Sequence, residues 1–160
     1  MNNTLFIGVD PGKSGAIAFI DTVSGDCWTV SNDSTLHDLY QALIDAQVSI
    51  GGNESHAIIE KVHSSPQMGV KSAFTFGQSF GQLEALLVGA GISYEYVSPA
   101  KWQGDMKCRT KGNKNVTKAA AQRLFPKMKI THANADAILI AEYSRRNAKA
   151  KAKPTKRDHE

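Results

Sequence analysis

The sequence predicts an α/β fold, a mixed five-stranded sheet flanked by helices, and three observations carry that expectation. Short apolar runs bounded by turn residues occur five times. Residues at helical spacing fill the longer stretches between and after the later runs. The first three runs are separated by only a few residues, which suits hairpins and leaves no room for a helix. With 160 residues, 41% of them hydrophobic, the chain is long enough for one domain with its own core and too short for two substantial ones.

Residues 4–9 and 15–20 read as two strands joined through Pro11, Gly12, Lys13 and Ser14. A third strand, 27–31, follows the Ser24-Gly25-Asp26 turn. Ser34 is placed to cap a helix in which Leu36, Leu39, Tyr40, Leu43 and Ile44 recur at helical spacing. Gly51-Gly52-Asn53 breaks the chain, and 56–62 reads as a fourth strand. Its continuous apolar centre, Ala57-Ile58-Ile59, suits burial on both faces. A loop at 63–68 leads to a long helix at about 69–88, then a fifth strand at 92–97. Ser98-Pro99 opens a short helical turn, 107–113 is a basic loop, and two helices follow at about 114–125 and 133–147. The domain is therefore 1–147, with 148–160, rich in Lys and Ala, as a disordered basic tail.

No apolar stretch reaches the roughly 18–20 residues of a membrane span, and the run that stops at Asp10 lacks a signal-peptide pattern. The expectation is a cytoplasmic protein with no membrane partner. Cys27 and Cys108 are isolated, hence reduced thiols without a catalytic role. Charge is distributed unevenly. Residues 1–100 hold three Lys against ten Asp and Glu, whereas 101–160 hold sixteen Lys and Arg against five acids. This reads as a phosphate-binding half beside an acidic one, or as a solvated basic face.

The acidic half contains the chemistry. Asp10 ends the first strand and Glu60 sits near the end of the fourth; if the two are parallel neighbours, both carboxylates reach one sheet edge, where open α/β sheets place their sites. In "THANADAILIAEY", His132 and Asp136 are four apart, hence on one face of the last helix, while Ala133, Ala137, Ile140 and Ala141 allow it to approach the sheet closely. Clustered carboxylates need a cation, and oxygen ligands suit Mg²⁺ or Mn²⁺. Two such ions about 4 Å apart serve phosphodiester cleavage. Each residue also has an ordinary reading: Asp10 as a turn former, Glu60 as an ion-pair partner of Lys61 or Lys101, Asp136 as a cap.

The order "FIGVDPGKSGAIAFI", "AIIEKV", "GQSFGQLEALL", "YVSPAKW", "KNVTKAAAQRLF", "HANADAILIAEYSRR" resembles the RuvC family of Holliday junction resolvases, in the small form typical of bacteriophages and related bacterial proteins. The likeness spans residues 4 to about 147. It implies a ribonuclease H-like fold, a homodimer, two Mg²⁺ or Mn²⁺ ions per site, and paired nicks across four-way branched DNA in a bacterial or phage-infected cell. Asp10, Glu60 and Asp136 match acidic positions of the family's site. His132 falls where many relatives have a fourth Asp, which predicts relatively better activity with Mn²⁺. Asn134 is a weaker ligand candidate.

Lys114 aligns with a family lysine near the scissile phosphate, with Lys118 beside it; both also read as a solvated helix end. Lys13, Lys101, Lys107, Arg109 and Lys111 would contact DNA backbone without reading bases. The family's stacking aromatic after the strand-four Glu is matched by His63, with Met68 as an alternative wedge. Ala73, Gly77, Gly81 and Ala85 recur every four residues, suiting either a dimer interface or close packing on the protein's own sheet. Phe74, Phe76 and Phe80 read as core or interface. Competing functions are a nuclease of the same fold acting on other branched DNA or on RNA:DNA hybrids, and an inert junction-binding protein. An actin-like ATPase or sugar kinase needs two such domains.

Overall fold

The few residues between the first three apolar runs permit only hairpins, and hairpins form in the computed structural model, which describes residues 3–52 and 54–151. Its strands are β1 (Thr4–Asp10), β2 (Ala16–Asp21), β3 (Cys27–Ser31), β4 (Glu54–Glu60) and β5 (Ser93–Val97), in the sheet order β3-β2-β1-β4-β5. The helices are α1 (Leu36–Ser49), α2 (Val70–Gly89), α3 (Pro99–Asp105), α4 (Asn115–Leu124) and α5 (Ala135–Lys151). β1 pairs antiparallel with β2 and parallel with β4, which pairs parallel with β5. Parallel neighbours require crossovers, and α1 and α2 supply them.

Because β1 and β4 are central, helices cover both faces and their apolar runs are continuous. Leu5, Ile7, Val9, Ala57 and Ile59 pack with Leu39, Leu43, Leu83 and Leu87 of α1 and α2. Phe6 and Ile58 face the other way, onto Trp102, Ala121, Ile138 and Ala141 of α3, α4 and α5. Each fully buried Leu, Ile or Phe contributes about 1.5–3 kcal/mol.

One contact sets the position of α5. A Cβ on Gly8 would lie 2.2 Å from the Ala137 carbonyl oxygen and 2.3 Å from the Ala141 amide nitrogen. Only glycine permits that approach. The expected small-residue surface is thus formed by Ala137, Ile140 and Ala141, all fully buried, whereas Ala133 precedes the helix and is exposed.

Several boundaries differ from expectation. Thr35, not Ser34, caps α1: its hydroxyl accepts from the Asp38 amide at 3.1 Å and donates to the Asp38 carboxylate at 2.8 Å. Ser34 is occupied in a turn, its amide donating to Ser31. β4 ends at Glu60, although the Lys61 amide still reaches the Val97 carbonyl at 2.8 Å. In α1, Leu36 and Tyr40 are exposed while Leu39 and Leu43 are buried. The last helix continues to Lys151, past the expected boundary at 147, because Ala148 packs against the core. Asn53 and residues 152–160 of the expected tail lie outside the described residues.

The small-residue stripe of α2 does not pack on the sheet. That helix buries Leu83 and Leu87, while Gly77, Gly81 and Ala85 are exposed and Ala73 is half-buried. A Cβ on Gly77 or Gly81 would meet nothing within 4 Å. Phe80 packs against the core and stacks on Tyr96, but Phe74 is 74% exposed. Cys27 and Cys108 are free, and burial pushes the Cys27 thiol up to about 12, so it is no nucleophile. Among the described residues no helix is long and apolar enough to cross a membrane.

Candidate active site

Asp10 is the last residue of β1, and the chain turns immediately after it. Gly12 adopts φ +100°, which favours glycine, and its carbonyl accepts from the Gly15 amide at 3.1 Å. Asn32, just beyond β3, clamps this turn: its side-chain amide donates to the Asp10 and Gly12 carbonyls at 2.7 and 2.8 Å. The backbone that presents Asp10 is therefore held from three strands.

Glu60 ends β4. Since β1 and β4 run parallel with Val9 opposite Ile59, the next residues, Asp10 and Glu60, leave adjacent strands at the same edge. Glu60 is only 7% exposed and accepts a hydrogen bond from the Trp102 indole N–H. Asp136 stands in the first turn of α5, brought to the edge by the close crossing at Gly8, and is hydrogen-bonded by the buried Thr117 hydroxyl of α4. Lys114, the N-cap residue of α4, places its charge where it acts on both Asp10 and Asp136.

Burial lifts the Asp10 carboxyl well above the usual carboxylate range; Glu60 and Asp136 raise it further, and Lys114 opposes them. Burial also raises Glu60, with the Trp102 hydrogen bond lowering it and Asp136 raising it. Asp136 is raised by burial against the opposing effects of Thr117, Lys114 and His132. Among the described residues no three His, Cys, Asp or Glu side chains are close enough as they stand to hold one ion. The donor set nevertheless suits a hard divalent cation, since the oxygens come from three elements and lack a fixed positive charge sufficient to hold them ionised.

The remaining expected site residues are spread more widely. His132 is exposed in the turn before α5 rather than on the helix itself, yet its charge acts on Asp136. Asn134 is occupied: its side-chain oxygen accepts from the Thr131 amide at 2.8 Å and its amide donates to the Lys129 carbonyl at 3.2 Å. Lys13 is exposed and pairs with Asp33 at 3.6 Å; Lys101 pairs with Asp105 at 2.9 Å. Lys107 and Lys111 are exposed in the loop between α3 and α4, both in left-handed backbone, at φ 55° and 46°. The Arg109 guanidinium lies over Gly104, and Lys118 is half-buried. In the connection from β4 to α2, His63 is exposed and Met68 half-buried. Neither expected pairing of Glu60, with Lys61 or with Lys101, is the contact that forms. Trp102, Thr117 and Asn32 are not among the residues the sequence singles out; the one available signal is Trp102, whose burial behind a Ser-Pro helix start demands an acceptor for its N–H.

A mixed five-stranded sheet, with two parallel strands added beside an antiparallel hairpin and helices on both faces, is a ribonuclease H-like fold. Within that class the fold is that of RuvC. The Thermus thermophilus RuvC structure matches with a TM-score of 0.59 at 14% identity, over 92% of this chain and 96% of that one. T. thermophilus RuvC in complex with a Holliday junction substrate matches equally, at 13% identity over 91% and 96%. The yeast mitochondrial Holliday junction resolvase Ydc2 matches with a TM-score of 0.50 at 12% identity, over 94% and 80%. No protein-family model and no curated protein matches the sequence.

Proposed function

We propose that the chain is a divalent-metal-dependent endonuclease that resolves four-way DNA junctions by paired symmetric nicks. The observation that carries this reading is the meeting of Asp10, Glu60 and Asp136, from β1, β4 and α5, at one edge of a RuvC fold, with all three carboxyls raised although Lys114 acts on Asp10 and Asp136. Asp10, Glu60 and Asp136, with His132, would hold Mg²⁺ or Mn²⁺, which when bound supplies the Lewis acidity for phosphodiester hydrolysis. Lys114 stabilises negative charge developing on the scissile phosphate. Lys107, Arg109 and Lys111 engage the backbone of junction arms, so affinity falls steeply with salt. His63 or Met68 opens the bases at the crossover. The outward small-residue stripe of α2 supports a homodimer, and two sites related by a two-fold axis account for paired cuts.

The test is cleavage of an end-labelled four-way junction with Mg²⁺ or Mn²⁺, mapped at nucleotide resolution beside a Y-structure, a linear duplex and an RNA:DNA hybrid. Symmetric nicks in the junction alone are expected. Equal cutting of the hybrid, or binding without cutting under either metal, refutes the proposal. A His132→Asp variant reads the metal preference: the Mn²⁺ over Mg²⁺ advantage of the native chain is expected to shrink.

A further inference from the structure

Trp102 has no exposed surface, and its indole N–H is a donor without alternatives inside an apolar cluster. It is seated by α3, whose N-cap Ser98 accepts from the Lys101 amide at 3.2 Å and whose first residue is Pro99. Among the described residues, the acceptor it meets is one carboxylate oxygen, Oε2, of Glu60. Glu60 is itself largely buried at the end of a central strand, so few waters compete to orient it. The indole is therefore the partner that chooses which oxygen stays inside.

We propose that Trp102 is a positioning residue for the metal site: by fixing Oε2 it leaves the other oxygen of Glu60 free for a divalent cation and holds the carboxylate in the rotamer the cation requires. The inference rests on the proposed metal-dependent function and deepens it. Groups that orient a ligand from behind govern metal affinity on the scale of about 10–100-fold. A bound cation would draw negative charge off the carboxylate and weaken the bond it accepts from the indole, which makes the Trp102 N–H a reporter of occupancy.

The sequence contains two tryptophans, and Trp28 stacks on Phe19 in the β2–β3 pair, away from Glu60. This permits an internally controlled measurement on the ¹⁵N-labelled full chain. During a Mg²⁺ titration the Trp102 indole N–H resonance is expected to move along the same saturation curve as the heat of Mg²⁺ binding, while that of Trp28 stays fixed. Trp102→Phe keeps an aromatic ring but loses the N–H; Mg²⁺ affinity is expected to fall about 10–100-fold with junction binding in EDTA unchanged. A stationary Trp102 resonance while the native protein binds Mg²⁺, or a Phe variant that binds Mg²⁺ within twofold of native, overturns the positioning role and leaves the nuclease reading intact. If the Phe variant does not fold, the resonance titration decides alone. A native protein that neither binds Mg²⁺ nor nicks junctions overturns both.

Discussion

Helix α5 carries one acid at the rim, Asp136, and a second, Glu142, less than two turns further on, and the two meet burial in opposite ways. Glu142 is 4% exposed, but Arg145 reaches its two oxygens at 2.7 and 2.5 Å and Arg146 reaches one of them at 2.8 Å. Burial alone would raise its carboxyl; the guanidinium hydrogen bonds and charges bring it below the ordinary range. Asp136, with Asp10 and Glu60, has no such fixed guanidinium pair, and all three are raised. The contrast separates an acid neutralised by guanidinium groups of its own helix from three acids whose burial outweighs the counter-charge beside them.

The contrast also fixes opposite pH signatures. Glu142, depressed in the folded state, contributes stability above its unfolded value near about 4.3, and that contribution is lost as pH falls through the folded value. The rim acids, raised in the folded state, hold protons there that the unfolded chain has already released. Without metal their contribution is favourable at low pH, and stability falls as pH rises from about 4 through the raised values.

The strongest way to break the comparison is Asp10→Asn. Junction cleavage is expected to drop by about 10³-fold or more, the upper scale for losing one preorganised electrostatic group, with junction binding retained in a gel-shift assay. Lys114→Gln is expected to cost about 10²-fold in the cleavage rate at saturating metal, since it removes charge stabilisation without removing a ligand. Gly8→Ala forces a methyl against the α5 backbone; a loss of about 1–3 kcal/mol in urea unfolding is expected, with reduced cleavage because Asp136 moves with the helix. Glu142→Gln sharpens the contrast: it is expected to cost about 1–2 kcal/mol, moderated because Arg145 and Arg146 are partly exposed, while cleavage stays within about twofold of native. The smallest effect is on metal-free melting at pH 8, where Asp10→Asn is expected to raise Tm by roughly 2–4 °C for each kcal/mol of repulsion relieved, an advantage that disappears at low pH or with saturating Mg²⁺ on the native protein.

Much of this site is legible in the amino-acid sequence, because strand ends announce themselves locally. Asp10 ahead of Pro11-Gly12 and Glu60 after Ile58-Ile59 follow from apolar runs and turn residues, whereas the parallel pairing of their strands is a condition that only the fold supplies. Asp136 follows from helical spacing and the alanines beside it. Partners that come from remote elements leave no local pattern: Thr117 beneath Asp136 and Asn32 behind Asp10 are ordinary polar residues whose roles depend on tertiary packing. Adjacent Ser34 and Thr35 both suit a cap, and only the Asp38 contact selects between them. Spacing alone likewise cannot say which side of α2 faces out; the leucines on its other face decide it.

The bare backbone at Gly8 has a consequence for how such a protein can change over time. Where α5 rests on β1, main chain meets main chain, so the gap between the elements bearing Asp10 and Asp136 is gauged by the thickness of the polypeptide itself. Side chains elsewhere in the two clusters can be exchanged freely, provided each still fills its volume, without resetting that gauge. Nearly the whole interior could drift in this way while the spacing of two carboxylates stayed constant.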